Sequence, residues 1–164
     1  TDREHKTVID LLQEANTQDV FPVGRLDIDT EGLLLLTNDG ALAHELLSPR
    51  KHVDKTYFVR IAGNLSDADV KQLEQGMDIG DEKLTLPAKV SCLEQFPEEQ
   101  EQTVMIKLRE GRYHQVKRML ASRGKPVTEL KRLSIGALEL DKSLLPGQFR
   151  QLTEKELCSV NKKK

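Results

Sequence analysis

Six short runs rich in β-branched and aromatic residues fall at 20–26, 33–37, 56–62, 88–93, 104–108 and 127–133, and they predict strands. Stretches with helical spacing fall between and after them, at 41–47, 66–75, 113–123 and 153–160. Strands and helices therefore intermingle without a strict βαβ alternation. That order predicts an α+β fold, a mixed and mostly antiparallel sheet flanked by helices, over a doubly wound one. Local punctuation agrees with it. Ser66 followed by Asp67 and Asp69 marks a helix start, Gly76 a stop, and Thr153 with Glu156 a capping box. The Pro- and Glu-rich stretch 96–102 reads as an exposed hairpin loop, and Pro146-Gly147 as a turn.

At 164 residues, 37% apolar and 32% charged, the chain has the composition of one soluble globular domain, spanning 1–164. The longest apolar run is the four leucines Leu33 to Leu36, far short of the roughly 20 residues that span a bilayer, so no membrane partner is expected. The first residues, TDREHKTVID, lack an apolar signal core. Two cysteines, Cys92 and Cys158, stand outside any CxxC motif, which points to reduced thiols in the cytoplasm and to no metal site.

A formal net charge of −2 conceals an uneven distribution. Nine Lys or Arg face two acids between Lys107 and Arg132, whereas six acids face Lys71 alone between Asn64 and Glu82. The stretch from Glu94 to Glu101 adds four glutamates and no base. A basic zone set against an acidic one suits a polyanion docked on one face; the plain alternative is a solvated charge pattern.

Three segments could carry chemistry. The first is Phe21-Pro22-Val23-Gly24-Arg25-Leu26-Asp27-Ile28-Asp29-Thr30-Glu31-Gly32. Its alternate acids suggest a calcium loop, but leucines follow at the seventh to ninth positions and Asn38 stands where a bidentate Glu is required. A turn between strands is the stronger competitor. The second is Gly111-Arg112-Tyr113-His114-Gln115-Val116-Lys117-Arg118-Met119-Leu120. At 100° per residue, Tyr113, Val116 and Leu120 share one helix face, Lys117 lies at its border, and Arg118 and His114 point away. A border lysine either snorkels over the core or holds a carboxylate in a half-buried site. The third is Lys55-Thr56-Tyr57-Phe58-Val59, where alternation puts Tyr57 and Phe58 on opposite faces. Tyr57 either packs in the core or stacks on a flat base.

Taken together, Arg25-Leu26-Asp27, Lys55-Thr56-Tyr57 and the 111–119 segment strongly resemble the pseudouridine synthases. Within them the chain resembles the branch that acts on small-subunit (16S) ribosomal RNA. The flanking stretches VGRLDIDTEGLLLLTNDG and HELLSPRKHVDKTY resemble that branch too, so the likeness runs from about His5 to Val160. It implies a pseudouridine synthase fold with a catalytic cleft, which isomerises one uridine of ribosomal RNA to pseudouridine. It gives the catalytic roles to Asp27 as nucleophile, Tyr57 as the platform for the flipped base and Lys117 as the partner of the aspartate. RNA contacts are expected at Arg25, Thr30, Lys55, Arg112, His114, Gln115 and Arg118. The N1–C1′ bond breaks, the base turns, and C5 takes the place of N1, with no cofactor; the absence of GxGxxG, Walker A or zinc spacing agrees. The expected partner is ribosomal RNA, bound by a cytoplasmic monomer. Family members also carry an N-terminal S4-type domain and a first core strand with an Asn-Lys-Pro run; this sequence shows neither, so it is expected to be either a fragment of a longer protein or a protein that dispenses with both. The alternatives are a large-subunit (23S) synthase, whose motifs are the same, or a non-catalytic RNA-binding module of ribosome assembly. Intact Asp27, Tyr57 and Lys117 speak against the second.

Overall fold

The computed structural model describes residues 21–22, 31–37, 39–47, 53–112, 114–145, 148 and 150–156. In chain order the elements are β1 (Phe21–Pro22), β2 (Glu31–Gly32), β3 (Leu36–Thr37), α1 (Gly40–Leu47), β4 (Lys55–Ala62), α2 (Asp67–Gln75), β5 (Lys89–Phe96), β6 (Glu101–Leu108), α3 (Gln115–Ser122), β7 (Val127–Ile135) and β8 (Leu138–Glu139). A six-stranded sheet runs in the order β2-β7-β4-β6-β5, with β8 added on β7, and β1 pairs with β3 separately. Only β2 with β7 is parallel among the described pairings. The fold is α+β with a mixed, mostly antiparallel sheet, as the order of runs predicts. The sequence pattern at 153–160 lies partly outside the described residues.

Strand β4 is the spine, paired with β6 on one side and β7 on the other. Its alternation sorts the residues cleanly: Val59 and Ile61 are buried, while Phe58 and Arg60 are half-buried on the opposite face. On the first face Val59, Ile61, Val104, Ile106 and Leu108 meet Leu73 from α2 and Val116, Met119 and Leu120 from α3. Removing an aliphatic side chain as fully enclosed as Leu120 costs about 2 to 5 kcal/mol, so this layer fixes both helices on the sheet. On the other face the Arg60 guanidinium stacks 4.3 Å from the Phe96 ring and pairs with Glu101 at 2.7 Å.

Helix α2 starts where Ser66 and Asp69 complete a reciprocal capping box. Asp69 also accepts from Arg123 Nε at 2.8 Å, so the start of α2 is tied to the end of α3. It stops at Gly76, whose φ of +100° suits glycine. A hairpin turn at 97–100 joins β5 to β6, within the loop read at 96–102.

Candidate active site

Tyr57 stands on the helix-covered face of β4, half-buried at the rim of the core cluster. Its partner directly across on β7 is Arg132, and residues directly opposite in an antiparallel pair project from the same face. Lys55 lies two residues before Tyr57 and shares its face. Lys55 is 9% exposed and Arg132 4%, which is unusual for either residue type. Burial, and then the neighbouring Arg132 charge, push the Lys55 ammonium below the ordinary lysine range, against a smaller opposing effect of Asp54. The Lys55 Nζ also comes within 3.8 Å of where a Cβ on Gly111 would sit. The sheet thus brings the Lys55-Thr56-Tyr57 strand against the start of the 111–120 segment.

That segment is held in place by Glu110. Its carboxylate accepts from the Leu86 N–H at 2.7 Å, Arg112 Nε at 3.0 Å and Gln115 Nε2 at 2.9 Å. Gln115 Oε1 accepts in turn from the Arg112 N–H at 3.0 Å. His114 follows with φ +47°, a left-handed conformation uncommon outside glycine, and α3 begins at the next residue. Lys117 and Arg118 are half-buried on α3, each with partners, at the margins of the stripe formed by Gln115, Val116, Met119 and Leu120.

Three expectations need correction. Gln115 is not placed to meet RNA, because it is 4% exposed and both atoms of its amide bond within the protein. Arg112 commits its guanidinium to Glu110 and to the carbonyls of Lys83 and Leu84 at 2.8 and 2.7 Å. Nor do the acidic and basic zones form separate faces. The β5–β6 hairpin returns the chain so that Asp81 lies against Arg118, its oxygens 3.1 and 3.2 Å from the guanidinium. Arg118 and Arg112, in that order of effect with local desolvation opposing, hold the Asp81 carboxyl below the usual range.

Asp27, Arg25 and Thr30 lie outside the described residues. The strand that follows them does not. Strand β2 runs parallel to β7 with Gly32 opposite Arg132, and a Cβ on Gly32 would sit 2.2 Å from the Arg132 carbonyl oxygen. With φ +118° as well, this position admits glycine alone. Arg132 and Glu110 were both missed as site-forming residues. Their only sequence signals are an arginine inside a strand run that also holds Glu129 and Lys131, and an acid inside a basic run, and neither is specific without the register.

A half-buried tyrosine, two buried cations and the start of a basic helix strapped by Glu110 lie about the paired strands β4 and β7. Surroundings of that kind favour an ionised acid beside an aromatic platform. Residues 1–122 match the family model for RNA pseudouridylate synthase. The chain belongs to that family. A solved pseudouridylate synthase superposes with a TM-score of 0.88 at 36% identity, over 96% of this chain and 66% of that one. The fold is therefore the pseudouridine synthase fold. An uncharacterized RNA pseudouridine synthase of Bacillus subtilis, YtzG, is 47% identical over 98% of this chain and 66% of its own length. The ribosomal small subunit pseudouridine synthase A of Escherichia coli K12 is 44% identical over 97% of this chain and 67% of its own. The chain thus spans about two thirds of the length of the relatives it matches.

Proposed function

We propose that this chain is the catalytic part of a ribosomal RNA pseudouridine synthase acting on a uridine of small-subunit rRNA in the cytoplasm. One observation carries the reading: identity of 43–44% along 97% of the chain to proteins named ribosomal small subunit pseudouridine synthase A. In this reading Asp27 is the nucleophile, and the Lys117 ammonium keeps its carboxylate charged and aimed. Tyr57 stacks on the uracil once it has left the RNA helix, a step that costs a few kcal/mol and needs an aromatic platform. The half-buried position of Tyr57, packed against the core cluster, supports that role. The isomerisation exchanges one glycosidic bond for another and consumes no carrier.

The test is to incubate the full chain with unmodified small-subunit and large-subunit rRNA and map carbodiimide adducts by primer extension. A single new stop in small-subunit rRNA is the expected result. A stop confined to large-subunit rRNA would overturn the target, and none in either would overturn the activity.

A further inference from the structure

Arg132 is the most anomalous side chain among the described residues. It is a cation at 4% exposure whose Nη2 is buried with no hydrogen-bond partner. Lys55, also buried, adds like charge nearby. An unsatisfied buried donor on a charged group costs on the order of kcal/mol, so packing alone would favour an apolar residue here. What Arg132 does make is a grip. Its Nε donates to the Leu33 carbonyl at 2.8 Å, the Leu33 N–H donates to the Arg132 carbonyl at 2.8 Å, and Gly32 lies flush against its backbone. On its other side it stands directly across from Tyr57.

We propose that Arg132 is a positioning residue for the reaction: it clamps the strand that follows Asp27 at a fixed register against the strand that carries Tyr57. This rests on the functional reading above and adds a residue to it. Gly32 is five residues beyond Asp27, so even fully extended chain leaves the acid within about 18 Å of the clamp. A slip of one residue at β2 would turn every side chain of that strand to the other face and shift the acid relative to the stacked base. Misplacement of about 1 Å is enough to lower turnover by about a hundredfold. Both the main chain and the side chain of Arg132 resist such a slip.

The experiment uses the full chain with Arg132→Met, and Arg132→Lys as the conservative variant. Methionine keeps an unbranched stem and removes the donors, and apolar replacement of a buried charge is commonly neutral or stabilising. The thermal midpoint should therefore hold or rise. For pseudouridine formation, kcat of Arg132→Met should fall by about tenfold or more with KM within about twofold, and Arg132→Lys should recover part of the loss. Hydrogen exchange at the Leu33 amide should quicken by about tenfold in the methionine variant. A kcat within about twofold of the unmodified protein overturns the proposal, as does a rise in KM at constant kcat, which would make Arg132 an RNA contact. If the unmodified chain forms no pseudouridine, the functional reading fails by itself. Exchange at Leu33 then decides the clamp: faster exchange supports it and unchanged exchange overturns it.

Discussion

At the residue scale, the cations of the site differ in what surrounds them, and so in what they can do. Lys55 and Arg132 are buried; Arg112 is bonded to carbonyls and to Glu110; Lys117 and Arg118 stand half-buried on one helix turn. Of the last two, Arg118 donates to the Ile79 carbonyl and to Asp81. The helical wheel leaves Gln115 unassigned, and the expectation that it meets RNA fails because the Glu110 strap encloses the helix start. A glutamine can be buried there only because Glu110 and the Arg112 N–H satisfy its amide. The proposed roles lead to a contrast between neighbours. Lys117→Met should lower pseudouridine formation by at least about a hundredfold with RNA affinity nearly unchanged, since it removes the charge proposed to pair with Asp27 and keeps the stem. Arg118→Met should leave turnover within about tenfold and loosen the 79–84 loop. A larger turnover defect in Arg118→Met would reverse the assignment.

At the element scale, local pattern made most strands and helices legible, but the run at 33–37 is not one strand: β2 ends at Gly32 and β3 spans only Leu36–Thr37. The runs at 56–62, 88–93, 104–108 and 127–133 correspond to β4, β5, β6 and β7, each longer in the structure by one to three residues. The helix start at Ser66 carries the capping box its residue types suggest. The pairing of β2 with β7 was not legible, because two residues of parallel strand separated from their partner by about a hundred positions leave no local pattern. Nor were the bulges of β4 against β7, which set Tyr57 opposite Arg132. The capping box also makes a pH-dependent prediction. The Ser66 N–H is the main influence holding the Asp69 carboxyl below its usual range of about 3.8, with burial opposing and Arg123 assisting. A depressed carboxyl contributes stability above its unfolded value, and loses it as pH falls through the folded one. Asp69→Asn should therefore lower unfolding free energy by about 1 kcal/mol at pH 7, and the difference should shrink steadily below about pH 4. Urea titrations at a series of pH values check this, and a difference that grew on acidification would contradict it.

At the scale of the whole molecule, folding dissolves the apparent segregation of charge. Of the nine bases between Lys107 and Arg132, Arg112 and Arg118 turn to the acidic loop, Arg123 and Lys125 turn to Asp69, and Arg132 is buried. Lys107 and Lys131 project from the sheet face opposite Tyr57. RNA binding should then show a log–log salt slope shallower than the value of about −6 that nine phosphate contacts on single-stranded RNA would give. Lys107→Ala should leave that slope unchanged, and a lost contact there, worth about 0.7, would mean that RNA also occupies the other face. The candidate site was read as three motifs whose residues lie dozens of positions apart, of which Arg25-Leu26-Asp27 lies outside the described residues; the Arg132 register and the Glu110 strap, which organise the other two, belong to the folded state. The central claim is that the acid directly after Arg25-Leu26, and not its neighbours Asp29 or Glu31, performs the isomerisation. It is tested by pseudouridine formation on an rRNA that the unmodified protein converts, with folding checked by circular dichroism. Asp27→Asn, nearly isosteric but uncharged, should fold, bind the RNA and form essentially no pseudouridine, while Asp29→Asn and Glu31→Gln retain measurable turnover. Near-normal turnover in Asp27→Asn would contradict the account.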